Sequence, residues 1–422
     1  MLDLFPDTAA IEGGELQIGR VSTSALAEEF GTPLVVYDEA TVLARARAYL
    51  RAAPEAGVLY SVKAFPSLEL LRRCAEEGLG ADVSTLGELA YAVKAEIPPA
   101  RIVMHGNNKS DEELQRAAHE AGLVVVDAPD EVERAADAGV KRILVRVTPG
   151  IDADTHAAIR TAHHGSKFGL TPEQAVEALR DAAGTGIEAA GFHVHIGSQL
   201  LDAGATRTTI DWLAGFAADC RVELGWTPEI VDVGGGLGVR YVPDDPVLTI
   251  EDFVETIVDG IERAWELQLL PPPQLLLEPG RSLLGQAGVT LYRVGVVKQA
   301  SESTTWVAID GGMSDNARPQ LYGARYTALL ANRADETPAG TFAVCGKHCE
   351  SGDVLIEGVR LPEPRRGDLL AVPATGAYTL SMGSNYNAVP RPAAVLVADG
   401  KSRLIRSRET LDDLLRQEQA SG

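Results

Sequence analysis

Eight short apolar runs, separated by helical patterns, occupy the 422-residue chain from about residue 36 to residue 281, and that alternation limits the fold more than any other feature. The runs are Val58–Lys63, Ala81–Ser84, Ile102–Gly106, Val124–Asp127, Ile143–Pro149, Gly191–Gly197, Ile230–Gly236 and Leu275–Arg281. Between them lie stretches of helical periodicity, among them Ser67–Glu77, Asp111–Ala121, Pro129–Ala138, Pro172–Ala183 and Ile250–Gln268. Several open on a Ser, Asp, Thr or Pro that suits a helix start. Short buried strands joined by helices pair in parallel, and eight such units predict an α/β chain closed into a (β/α)8 barrel. In such a barrel the functional groups gather at the C-terminal ends of the strands.

Beyond residue 282 the pattern changes. Val289–Lys298, Trp306–Asp310, Phe342–Cys345, Val354–Ile356, Leu369–Val372 and Ala394–Ala398 read as strands with turns between them, so a second, mostly β-barrel domain is expected. Leu16–Arg20 reads as a strand and Ser24–Phe30 as a short helix that joins this domain. The expected division is 36–282 for the barrel, with 1–35 and 283–422 for the β-rich domain. Thr410–Gln417 reads as a closing helix and residues 419–422 as a frayed tail.

A net charge of -22 argues against nucleic acid and anionic membranes as partners, since both reward Lys/Arg patches. The first residues lack the pattern of a signal peptide and no apolar run is long enough to span a bilayer, so a cytoplasmic protein is expected. Cys74, Cys220, Cys345 and Cys349 are too few and too scattered for a disulfide framework. Cys345-Gly-Lys-His348-Cys349 has no second cluster at zinc-site spacing, and no metal is expected.

Four strand ends carry the chemistry. Lys63 closes the first apolar run; a lysine there is ordinarily a solvated charge, and only its neighbours give it another meaning. After the seventh run, Gly234-Gly235-Gly236-Leu237-Gly238 lets backbone N–H groups approach an anion, although glycines alone also make a tight turn. Its position favours phosphate, which barrels often bind after strands seven and eight. After the eighth comes Glu278-Pro279-Gly280-Arg281: a guanidinium for carboxylate or phosphate, and a carboxylate able to keep a pyridine nitrogen protonated. After the sixth, His193 and His195 share one side of the strand, with Ser198 beyond; either histidine alone reads as structural. A lysine, a phosphate loop, a carboxylate and a ring-stacking histidine at one barrel mouth are what pyridoxal 5'-phosphate needs.

Nearly the whole chain also resembles the fold-type III pyridoxal phosphate-dependent decarboxylases. The resemblance rests on Tyr60-Ser-Val-Lys63-Ala, Ala81-Asp-Val-Ser84 with Gly87-Glu88-Leu89, His105-Gly-Asn-Asn-Lys-Ser110, Asp154-Thr-His156 with Ser166-Lys-Phe-Gly169, His193-Val-His-Ile-Gly-Ser-Gln199, the glycine run and Glu278-Pro-Gly-Arg281. It continues through Asp310-Gly-Gly-Met313, Arg318-Pro-Gln-Leu-Tyr322, Cys349-Glu-Ser-Gly-Asp353, Gly376-Ala-Tyr378 and Ser384-Asn-Tyr-Asn387. Phe65 departs from it, standing where many members have an asparagine.

The resemblance implies that Lys63 forms the Schiff base with the cofactor, Glu278 faces the pyridine nitrogen and His195 stacks on the ring. It places Ser198, Gly235, Gly236, Gly280, Arg281 and Tyr378 about the cofactor phosphate or its edge. Arg281, Arg318, Tyr322 and Tyr378 would hold substrate, Glu350 its amino group, and Cys349 would donate the proton. It further implies a homodimer in which the Cys-Glu pair reaches into the partner's barrel. Arg318 suggests a distal carboxylate to be clamped, so the expected reaction is decarboxylation of meso-2,6-diaminopimelate to L-lysine. The alternatives are a carboxynorspermidine or basic amino-acid decarboxylase, a racemase of the same fold, or a catalytically silent homologue. Glu278 argues against racemases, which place an arginine at the pyridine nitrogen, and retention of Lys63, Glu278 and Cys349 argues against a silent protein.

Overall fold

The computed structural model describes residues 1–149, 166–195 and 197–419, and these form two compact units. One comprises Arg45–Gly238 and Val247–Ser282; the other comprises Met1–Ala44, Val239–Pro246 and the chain from Leu283 onward. Asp154-Thr-His156, Ile196 and the last three residues lie outside the described residues.

The first unit is a closed barrel of eight parallel strands: β1 (Gly57–Ser61), β2 (Gly80–Val83), β3 (Ile102–Met104), β4 (Leu123–Val126), β5 (Arg142–Arg146), β6 (Glu188–His193), β7 (Ile230–Asp232) and β8 (Gln274–Leu277). β8 pairs with β1 and closes the ring. Leu59, Val103, Leu123, Val125, Leu144, Ala190, Ile230 and Leu276 pack into one buried cluster. Branched side chains fill such a barrel as a core and leave no pore. The helices start as their sequences dictate: Ser110 with Glu113 and Thr171 with Gln174 form reciprocal capping boxes at Asp111–Glu120 and Pro172–Thr185. Pro172 supplies the preset first-turn φ.

The second unit is built on a nine-stranded sheet threaded by the long strand Gly288–Gln299. Leu34–Asp38, which the expected division at residues 35/36 cuts through, pairs antiparallel with Gly288–Gln299 and parallel with Ala393–Ala398. Every residue of that strand is buried, as an apolar run of this kind is in the middle of either sheet, so the run itself could not say which sheet takes it. The division between units therefore falls at residues 44/45, and 239–246, expected within the barrel domain, sides with the β-rich unit. Glu15–Ile18 enters a small antiparallel sheet with Ala10–Glu12 and Val21–Ser22, and its Leu16 and Ile18 pack in one apolar cluster with Leu34 and Val36.

Candidate active site

Period-two alternation, carried past the barrel core, builds a polar ring. Leu59 leads to Ser61, Val103 to His105, Val125 to Asp127, Leu144 to Arg146, Ile230 to Asp232 and Leu276 to Glu278. In β6 a register shift between Ala189 and Gly191 restores the phase, so that His193 lies opposite both Arg146 and Asp232. The same parity that fills the barrel with Leu and Val therefore turns ionisable groups inward at its C-terminal end.

Lys63 stands just past β1 in a one-turn helix, Val62–Ala64. Its side chain is 47% exposed and its Nζ donates to Asp82 Oδ2 at 3.1 Å. Asp82 is buried and also accepts from Ser61 Oγ at 2.5 Å. The lysine is thus aimed by a carboxylate from the next strand yet keeps access to solvent. Phe65, two residues on, is buried, and its carbonyl accepts from Tyr60 Oη at 2.6 Å, tying down the loop after Lys63.

Glu278 is buried, with Oε1 2.5 Å from His105 Nε2 and Oε2 3.5 Å from His193 Nε2. Burial alone would raise its carboxyl, but His105 and His193 outweigh that and hold it well below the usual carboxylate range. Asp232 goes the other way: burial and the Glu278 charge push it well above the ordinary range. Burial pushes His193 down to about 4, leaving it neutral at physiological pH. Two carboxyls side by side have been shifted in opposite directions.

The glycine run after β7 is held against its neighbours. A methyl on Gly235 would overlap the Glu278 carbonyl, and one on Gly236, whose φ is +117°, would sit 2.8 Å from the Gly197 carbonyl. Among the described residues no acceptor takes the backbone N–H of Gly235 or Gly236. Arg281 Nη2 donates to Ser198 Oγ at 3.0 Å, so the loops after β6 and β8 meet beside this run. Gly280 packs against Ser61 and Ala64. Burial, with the Lys63 charge added, pushes His195 well below the usual imidazole range, so it offers a neutral ring. A cation with a hydroxyl and the backbone N–H groups of the glycine run for a phosphate, a carboxylate for a pyridine nitrogen and a reachable lysine for an aldehyde fit pyridoxal phosphate.

The remaining predicted residues belong to the β-rich unit. Arg318 is buried, 5% exposed, with Nη1 donating to Tyr326 Oη at 2.7 Å and its guanidinium 4.5 Å from the centre of the Tyr241 ring. Among the described residues no carboxylate pairs with it. Tyr322, four residues on, is 65% exposed, and Tyr378 is half-buried with φ +58°. Cys349 and Glu350 are exposed. Their loop is fixed from behind: Asp353 accepts from Met313 N–H at 2.7 Å and His348 N–H at 2.9 Å, and Asn387 Oδ1 accepts from Cys349 N–H at 2.8 Å.

Sequence reasoning gave no role to Asp82, His105 or Asp232, although each sits two residues beyond an inward strand position, a signal that alternation carries. His105, His193, Asp232 and Glu278 bring one ligand atom each within 4.8 Å of one another. Ligand atoms on a tetrahedral ion with bonds of about 2.0–2.1 Å stand roughly 3.3 Å apart. The 2.5 Å His105–Glu278 contact is too short for that geometry.

Residues 39–285 match the pyridoxal-binding domain of the pyridoxal-dependent decarboxylases. The chain is 44% identical to the diaminopimelate decarboxylase of Actinosynnema pretiosum subsp. auranticum, over 98% of this chain and 95% of that protein. To that of Bacillus subtilis it is 41% identical, over 96% and 95%. The structure of the diaminopimelate decarboxylase from M. jannaschii in complex with L-lysine superposes with a TM-score of 0.92 at 33% identity, covering 98% of both chains.

Proposed function

We infer, from the premise that this chain belongs to the pyridoxal-dependent decarboxylase family, that it converts meso-2,6-diaminopimelate to L-lysine and carbon dioxide. The bond to one carboxylate breaks, its electron pair stays on the carbon, and a proton takes the place of carbon dioxide. When bound, pyridoxal phosphate supplies the sink for that electron pair. Lys63 would hold the cofactor covalently through Nζ. Arg281, Ser198, Gly235, Gly236 and Gly280, with Tyr378, would hold its phosphate or edge, and His195 would lie against its ring. Glu278 would keep a proton on the pyridine nitrogen, and the observation that carries this reading is its ionised, buried carboxylate in the same ring of strand ends as Lys63.

Substrate choice rests on Arg318. A buried guanidinium with tyrosine partners and no carboxylate partner among the described residues suits an arriving carboxylate, whose charge it would neutralise. Tyr322 and Arg281 would share that end of the substrate, and Glu350 would take the amino group. Cys349 would deliver the proton to the carbon that lost carbon dioxide. Exposure of Cys349 and Glu350 supports a homodimer in which each copy lends this pair to the other, and four free thiols support a reducing, cytoplasmic setting.

Carbon dioxide release from meso-diaminopimelate by wild type, Lys63→Ala and Cys349→Ala, each with added pyridoxal phosphate, tests these roles. Both variants should lose at least about 100-fold in rate, the usual scale for a positioned proton-transfer group. Equal rates in all three would reject the assignments.

A further inference from the structure

His105 contacts the carboxylate that the proposed function needs ionised, and no role in the reaction has been given to it. It follows β3, is buried, and its backbone N–H donates to the Val83 carbonyl at 2.7 Å, which fixes where its ring starts. The ring stands edge-on to His193, with centroids 4.9 Å apart and planes at 70°. Its Nε2 is 2.5 Å from Glu278 Oε1 and 3.7 Å from Asp82 Oδ1, the carboxylate that aims Lys63. One nitrogen therefore sits between the two acids that serve the two ends of the site.

We propose that His105 is a positioning residue: its Nε2 holds the Glu278 carboxyl group in place through Oε1, leaving Oε2 to serve the pyridine nitrogen of the cofactor. The proposal rests on the reading of Glu278 given above. An imidazole reaches Oε1 with one ring nitrogen, whereas an arginine here, with its fork of donors, would compete with the pyridine for the carboxylate. His193, His195 and Asp232 face the same carboxylate, and Asp82, Glu88, Lys63 and Arg146 are further titratable and charged groups turned toward the cluster. His193 cannot replace His105 at Oε1, since its Nε2 stands 3.5 Å from the other oxygen. Without His105, burial would raise the Glu278 carboxyl toward neutrality.

Pyridoxal phosphate is removed from the full-length protein, and its dissociation constant is measured by equilibrium dialysis from pH 5.5 to 9 for wild type, His105→Gln, His105→Phe, Glu278→Gln and the Phe/Gln double variant. Glu278→Gln should weaken binding by roughly tenfold, the worth of one charge-assisted hydrogen bond, with the ratio to wild type flat in pH. His105→Phe should match wild type at pH 9 and fall to the Glu278→Gln level as pH drops and Glu278 takes up a proton. His105→Gln, which keeps an N–H, should stay near wild type, and the double variant should bind no worse than Glu278→Gln. If Glu278→Gln weakens binding but His105→Phe keeps the wild-type profile, the inference fails and the function stands. If Glu278→Gln binds as wild type, the reading of Glu278 fails and the inference with it. If circular dichroism finds His105→Phe unfolded, His105→Asn, too short to reach Oε1, is judged by the same criteria.

Discussion

The cysteines show how one residue type takes different chemistry from its surroundings. Burial pushes the Cys74 and Cys220 thiols up to about 12, whereas Cys349 is exposed on its loop. Only a thiolate is nucleophilic, so iodoacetamide on the folded protein should modify Cys349 first and reach Cys74 and Cys220 only after unfolding. Peptide mapping that found Cys74 alkylated first would contradict the structure. Glu409 offers a pH test. Partial burial would raise its carboxyl, but hydrogen bonds from Arg391 and Asn385 hold it at about 2. A carboxyl whose folded value is depressed stabilises the fold above its unfolded value and loses that contribution as pH falls through the folded one. Glu409→Gln should therefore lower the melting temperature at pH 7, and the gap to wild type should close between pH 4.5 and about 2. A constant gap down to pH 2 would show that the charge is not what matters there.

Among the elements, β6 matters most, because its register shift turns His193 toward Asp232 and Arg146. At Gly191 the strand passes so close to β7 that a Cβ would overlap the Ile230 carbonyl. Backbone cannot yield there without parting the two strands. Gly191→Ala should cost about 3 kcal/mol or more, at the upper end of overpacking penalties, and be read as a lower urea midpoint. Gly184→Ala, with nothing within 4 Å of the added methyl, should change the midpoint little, and equal losses at both sites would refute the packing argument.

For the whole molecule, a net charge of -22 disfavours polyanions, and within that acidic chain Arg281 and Arg318 are held by specific partners. The proposed sharing of Cys349 between copies makes a direct prediction. Lys63→Ala and Cys349→Ala, each inactive, should on mixing and subunit exchange regain about one quarter of wild-type activity, because half the dimers are mixed and each has one complete site. No recovery after exchange, verified by native mass spectrometry, would mean each chain uses its own cysteine. Among the described residues no helix is long and apolar enough to cross a membrane.

The strand–helix alternation determined the barrel, because eight parallel strands buried on both faces must be written as apolar runs joined by helices. It also located Lys63, Gly234–Gly236, Glu278 and Arg281, since strand ends can be counted from sequence. Which sheet takes Leu34–Asp38 was decided only in three dimensions, because an all-buried strand carries no mark of its neighbours. The opposite shifts of the Glu278 and Asp232 carboxyls were decided there too. They depend on distances of a few ångströms between residues from β3, β6, β7 and β8, up to 173 positions apart in the chain (278 − 105), which no local pattern encodes.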